Sequence, residues 1–129
     1  MAQRRLLKEY QEIQKLTTKL SKEDLNDRID LKPHPSNMLL WTATFEGPSD
    51  TPYEGGTFQV RLTVPSQYPI QPPKASFITS VFHPNVHFKT GEICLDILKD
   101  TWTPTWTLLT LCRAIRSLLS DPEASSPLN

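Results

Sequence analysis

Leu6, Tyr10, Ile13, Leu16 or Thr17, and Leu20 recur at helical spacing among Lys, Glu and Gln, which predicts an amphipathic helix from about residue 3 to 20. Arg4, Arg5 and Lys8 then stand exposed at its start, where positive charge opposes the helix dipole, so a solvated face or a partner contact explains them better than a stabilising role. Lys22 to Asn37 is polar and reads as a loop with one short strand around Arg28 to Leu31. Met38 to Glu46 and Thr57 to Val64 are strand-like; in the second, Phe58, Val60, Leu62 and Val64 alternate with Gln59, Arg61 and Thr63, so one face is core. Between them Gly47 to Gly56, full of Gly, Pro and Asp, reads as a long hairpin connection. Lys74 to Ser80 adds a strand after the proline-rich Tyr68 to Pro73. Beyond Trp102-Thr103-Pro104, Thr107 caps a second helix whose apolar positions Leu108, Leu111, Cys112, Ile115, Leu118 and Leu119 follow i, i+3, i+4 spacing, and Asp121-Pro122 ends it. The expected fold is α+β: an N-terminal helix, a four-stranded antiparallel meander and a central helix.

Composition narrows this picture. A chain of 129 residues with 37% hydrophobic content can bury one modest core, so residues 1–129 are expected to form a single domain. Twelve prolines would elsewhere suggest disorder, but here they fall between periodic segments and read as rigid turns. Fourteen basic and fourteen acidic residues cancel, which leaves no global field to recruit nucleic acid or an anionic membrane. No apolar run approaches the roughly 20 residues a membrane helix needs, and Met1-Ala2-Gln3-Arg4-Arg5 lacks a signal-peptide core, so the expectation is a soluble cytoplasmic protein without direct membrane insertion. Two cysteines without a framework pattern fit a reducing compartment, with Cys112 as a core residue and a Cys94–Cys112 disulfide as the less favoured alternative.

The candidate chemistry centres on Cys94, in the run His83-Pro84-Asn85-Val86-His87-Phe88-Lys89-Thr90-Gly91-Glu92-Ile93-Cys94-Leu95-Asp96-Ile97-Leu98. A thiol acts as a nucleophile in a partly exposed polar setting, which Lys89 to Glu92 supplies; the competing reading is a buried structural cysteine. Asn85 offers an amide donor for an oxyanion, or it stabilises a turn, and the two roles are compatible. His83 and His87 are four apart, yet Pro84 prevents the regular helix that would bring both imidazoles onto one face, so no metal site is expected. No glycine-rich phosphate loop occurs, and no cofactor is expected.

His83-Pro84-Asn85 ahead of Cys94-Leu95-Asp96-Ile97-Leu98, with Trp102-Thr103-Pro104 beyond, strongly resembles the active-site signature of ubiquitin-conjugating enzymes. Gly47-Pro48, Thr51-Pro52-Tyr53-Glu54-Gly55-Gly56, Tyr68-Pro69-Ile70-Gln71-Pro72-Pro73 and Asp121-Pro122-Glu123-Ala124-Ser125-Ser126-Pro127-Leu128 also fall where that family carries similar motifs, so the resemblance covers essentially the whole chain. One residue more than usual separates Asn85 from Cys94, and Val86 to Ile93 looks like the peroxisomal, peroxin-type branch of the family.

The resemblance implies that Cys94 accepts ubiquitin from the activating enzyme as a thioester and passes it, with a RING-type ligase, to a protein acceptor, in this branch a cysteine of the cycling import receptor. It implies a structural, turn-holding role for His83, and none as a catalytic base. Ser126 aligns with an acceptor-side gate where many members carry Asp; a serine is a poor base, but a cysteine acceptor, with an ordinary pKa of about 8.5 against about 10.4 for lysine, needs less help. Ile70 replaces a common Phe, and with Arg5, Pro104 and Thr105 it resembles the surface for ligase and activating enzyme, local packing being the alternative. Thr110, Arg113 and Glu123 fall where the family cradles donor ubiquitin, or are merely solvated. The branch further implies a membrane-anchored peroxin partner and a place at the cytosolic face of peroxisomes. The family normally continues with two more C-terminal helices; their absence after Asn129 leaves a second reading, an impaired truncated isoform that acts as a ubiquitin- or ligase-binding adaptor. A third, a cysteine hydrolase, lacks a base.

Overall fold

The computed structural model describes residues 1–19, 28–94 and 98–121. It contains α1 (Ala2–Lys19), β1 (Ile29–His34), β2 (Asn37–Glu46), β3 (Thr57–Thr63), β4 (Lys74–Phe77) and α2 (Leu108–Ser120). The strands form one antiparallel sheet in the order β1-β2-β3-β4, the expected α+β meander.

One face of that sheet is core because the period-two pattern stays in register across all four strands. Trp41 lies opposite Leu62, Ala43 opposite Val60 and Phe45 opposite Phe58, while Ile29 and Leu31 face Phe45 and Ala43 from β1. Phe77 and Ala75 meet Val60 and Leu62 from β4. All are buried, with the six apolar positions of α2, in one continuous cluster. From α1 come Ala2, Leu6 and Ile13, and Tyr10 meets Trp41 edge-on at 5.8 Å.

Two strand boundaries and the exposure of one arginine differ from expectation. The first strand is not a short piece around Arg28 to Leu31 within a loop: it runs to His34 and turns directly into β2 at Asn37. Pro33 obscures it in the sequence, but β1 is an edge strand, where a missing N–H costs no ladder bond on the open side. The fourth strand stops at Phe77 and does not reach Ser80. Beyond it the N–H groups of Ile78 and Thr79 both point at the Gln59 carbonyl, and the Thr79 hydroxyl takes the Gln59 N–H at 2.9 Å, so a side chain substitutes for the ladder.

Arg5 is the third correction. Arg4 and Lys8 are exposed, whereas Arg5 is half-buried: its Nε donates to Glu9 at 2.9 Å and its Nη2 to the carbonyls of Pro104 and Trp106 at 2.8 and 2.9 Å. Positive charge near the start of α1 is therefore partly consumed in tying that helix to the loop before α2.

Candidate active site

The Cys94 segment is a small hairpin hung on the edge of the sheet. Val86 bridges Ile93 antiparallel, His87 donates its N–H to the Glu92 carbonyl at 2.9 Å, and the Gly91 N–H returns to the His87 carbonyl at 2.8 Å. Its second arm is annexed by β4: Phe77 N–H bonds the Gly91 carbonyl at 2.8 Å and Ile93 N–H bonds the Ala75 carbonyl at 3.2 Å. Gly91 is required here. Its φ is +75°, and a Cβ at this position would run into the Phe77 carbonyl. Glu92 is exposed, Ile93 buried and Cys94 half-buried, so the strand-like alternation delivers the thiol to the rim of the core.

The first arm is held by His83 and Asn85. His83 is 1% exposed; its Nδ1 accepts the Asn85 N–H at 3.0 Å, which places the proton on Nε2, 2.7 Å from the Leu118 carbonyl. That carbonyl lies in the last turn of α2, where helical acceptors lack intrahelical donors, so His83 caps the helix while it folds the turn. Burial lowers the His83 pKa and the bond to Leu118 opposes the shift, so the ring is neutral in its folded setting. Asn85 is fully buried, and its carbonyl accepts the Cys94 N–H at 2.9 Å, which locks the two residues together through the main chain. Tyr53 OH donates to the Phe82 carbonyl at 2.6 Å and closes the turn from the long β2–β3 connection.

Both thiols are free. Cys112 is wholly buried in α2 and desolvation pushes its pKa up to about 12, a core thiol with no nucleophilic capacity. Cys94 is accessible, and the Lys99 ammonium lies 3.7 Å from its Sγ. Both ring nitrogens of His83 are occupied, and His87 Nδ1 accepts from the N–H groups of Lys89 and Thr90 at 3.2 and 3.3 Å. Among the described residues no group of three or more metal-ligating side chains occurs.

The second cluster brings together Arg5, Ile70, Pro104 and Thr105. Trp102 Nε1 donates to the Pro69 carbonyl at 2.8 Å, and the Trp102 ring lies 6.0 Å from Tyr68 and stacks at 6.4 Å on Trp106. Ile70, 64% exposed, projects from the 68–72 loop, while Pro104 and Thr105 are exposed on the 102–106 loop to which Arg5 is tied. The packing alternative for Ile70 does not hold, because its side chain is mostly in solvent. Thr110 closes a capping box with Thr107, its N–H donating to the Thr107 hydroxyl at 3.1 Å and its hydroxyl accepting the Thr107 N–H at 2.9 Å; Arg113 is exposed. Ser126, Glu123 and Leu95-Asp96-Ile97 lie outside the described residues.

Sequence reasoning passed over Glu9. It is buried; Oε2 accepts from Tyr68 OH at 2.6 Å and from Arg5, while Oε1 accepts the Leu108 N–H at 2.8 Å, the first N–H of α2. Burial first and this carboxylate second hold the Tyr68 phenol far above its ordinary pKa, so it remains a donor. The signal was present: Ala2, Leu6, Glu9 and Ile13 form one helical stripe, and an acid inside an apolar stripe demands partners. Lys99 was also missed, since its relation to Cys94 depends on a turn.

A family model described as ubiquitin-conjugating enzyme matches residues 5–129. The Arabidopsis thaliana protein PEROXIN-4 is 55% identical over 125 residues, covering 97% of this chain and 76% of its own length. The Dictyostelium discoideum ubiquitin-conjugating enzyme E2 pex4 is 49% identical over 125 residues, covering 97% and 79%. Among solved structures, the H. polymorpha ubiquitin-conjugating enzyme Pex4p, in complex with the soluble domain of Pex22p, superposes with a TM-score of 0.87 at 38% identity, covering 98% of this chain and 82% of that one.

Proposed function

This chain belongs to the ubiquitin-conjugating enzyme family, with relatives named as peroxin-4 proteins, and from that premise we propose that Cys94 is its thioester nucleophile. The Cys94 thiolate attacks the activated C-terminal carboxyl of ubiquitin on the activating enzyme and displaces that enzyme's thiol. An acceptor amine or thiol, brought by a ligase, then attacks the new thioester carbonyl. The observation that carries this reading is the half-buried free thiol pinned by its own N–H to the Asn85 carbonyl, in a hairpin braced by both β4 and α2.

The Asn85 amide is the donor for the oxyanion that forms during transfer, a contribution of about 3 kcal/mol when such a donor is preorganised. His83 acts through position, not proton transfer, since each ring nitrogen is already engaged. Ile70, Pro104 and Thr105 form the ligase-docking surface and Arg5 its brace; Arg4 and Lys8 leave α1 a basic face toward the activating enzyme. Ser126 gates the acceptor side in a manner suited to thiols.

The whole of residues 1–129 forms one catalytic core domain in this reading. The acceptor is a cysteine of the peroxisomal import receptor, and the protein is held at the cytosolic face of the organelle by a membrane-anchored peroxin. The Pex22p complex of the H. polymorpha relative supports that partner. Among the described residues no helix is long and apolar enough to cross a membrane.

Incubation with activating enzyme, ubiquitin and ATP, read on a non-reducing gel, tests the reading. A thiol-labile adduct that is absent in Cys94→Ala is expected, and it should discharge faster to free cysteine than to free lysine. A folded protein that forms no adduct would favour the adaptor alternative, and preference for lysine would remove the thiol-acceptor role.

A further inference from the structure

The hairpin that presents Cys94 ends in an aromatic and basic tip that the transfer chemistry itself does not use. Phe88 is 64% exposed there, and Lys89 and Thr90 beside it are exposed too. The His87 ring stacks on Phe88 at 5.5 Å and 4°, and the Lys89 ammonium lies 5.8 Å from the centre of the Phe88 ring. The stack is fixed from below. His87 Nδ1 accepts from the N–H groups of Lys89 and Thr90, which puts its proton on Nε2, an atom with no partner among the described residues. An aromatic ring held out in water, with a cation and a free N–H donor at its side, is suited to contact and contributes nothing to the core.

From this we infer that the tip reads the acceptor. It binds the extended segment that carries the attacking residue and favours one with an acidic side chain next to an apolar one, two or three positions from that residue. The inference rests on the thioester reading of Cys94. Ile93 points into the core, so Glu92 and Cys94 on either side of it point outward. His87 pairs with Glu92 through its N–H. At about 3.3 Å per residue, the tip begins roughly 7 Å from the nucleophile, the span of two residues of an extended acceptor lying along the hairpin. The apolar side chain of the acceptor covers the Phe88 ring, and its carboxylate meets the Lys89 ammonium and the His87 Nε2–H. Among the charged groups of this rim Lys89 and Lys99 outnumber Glu92, and none of the three forms a salt bridge among the described residues, so the local field also favours an acid. The bond changes are those of ordinary transfer: the acceptor's sulfur or nitrogen adds to the thioester carbonyl carbon, the C–S bond breaks, Cys94 leaves as thiolate and the acceptor's proton passes to solvent.

The test uses the full chain charged with ubiquitin, with further charging stopped by magnesium chelation, and follows loss of the thiol-labile adduct to short blocked peptides. Each peptide has a single central cysteine, or a central lysine in a parallel set, with Leu and Asp two and three positions to one side of it, in either direction, or Leu and Arg in the same places. In one direction the Asp peptide should discharge the adduct about fivefold faster than its Arg twin. Lys89→Glu should invert that ratio, and Phe88→Ala should remove the advantage of Leu over Ala at the neighbouring peptide position. The ratio is taken within each variant, so differences in charging or folding cancel. Lys32→Glu, the same charge change on the far edge of the sheet, should leave the ratio as it is. Equal rates for the Asp and Arg peptides in both directions, a ratio indifferent to Lys89→Glu, or one moved equally by Lys32→Glu would overturn the inference and leave the thioester reading intact. Failure of the folded chain to form any thioester would overturn both.

Discussion

One carboxylate joins three parts of this protein. Glu9 receives a phenol, a guanidinium and the first N–H of a helix, each from a different segment. Removal of a buried charged acceptor costs more than the bonds themselves, because each donor is left dry. Glu9→Ala should therefore destabilise the protein by about 3 kcal/mol in urea unfolding, and Glu9→Gln, which keeps one acceptor oxygen, by roughly half as much. Equal losses from the two substitutions would show that packing, not hydrogen bonding, carries the effect. The residue also marks where sequence reading falls short. That Glu9 sits on the apolar stripe was visible; that Tyr68 and Leu108, far along the chain, come to meet it was not. Arg5 was misread for the same reason, since its partners are the carbonyls of Pro104 and Trp106 and carbonyls leave no trace in sequence.

Strict alternation in Thr57 to Val64 and helical spacing in Leu108 to Leu119 marked β3 and α2 clearly, whereas Pro33 obscured β1 and the end of β4 depended on a side chain that replaces the ladder. The hairpin that carries Cys94 belongs to this second kind. Its residues were legible as chemistry, but its attachment to β4 was not, because one bridge and two backbone hydrogen bonds do not make a periodic pattern. That attachment gives Gly91 its importance. Gly91→Ala must accommodate both a positive φ and a collision with the Phe77 carbonyl, whereas Gly55, at φ +86°, has open space around it. Gly55→Ala should cost about 1 kcal/mol and Gly91→Ala roughly 2 kcal/mol more. Ubiquitin charging should slow only in the latter, and comparison of the two by denaturation and charging rate separates conformation from displacement of the nucleophile.

Across the whole molecule, stability should depend on pH through His83. The folded ring has a lowered pKa, while the unfolded ring titrates at about 6.5, so just below that value the unfolded chain binds more protons. Stability contributed by neutral His83 is present above about pH 6.5 and is lost as pH falls, at up to about 1.4 kcal/mol per unit until the folded ring itself protonates. Urea midpoints measured from pH 7.5 to 5.5 should show this slope, and His83→Gln, which keeps a donor for the Leu118 carbonyl, should flatten it. An unchanged slope would assign the acid sensitivity to other groups.

The annexed hairpin bears on how the molecule behaves in company. An exposed edge strand offers unpaired backbone groups to any neighbour, and a four-stranded meander has two such edges. At β4 the pairing of Glu92 and Ile93 covers one of them. At β1 the edge is blunted by Pro33, by the charged Lys32 and by a register shift between Pro33 and His34. The short stretch of chain that presents the thiol thus also keeps the sheet from templating its own aggregation, so damage to the site threatens solubility as well as turnover.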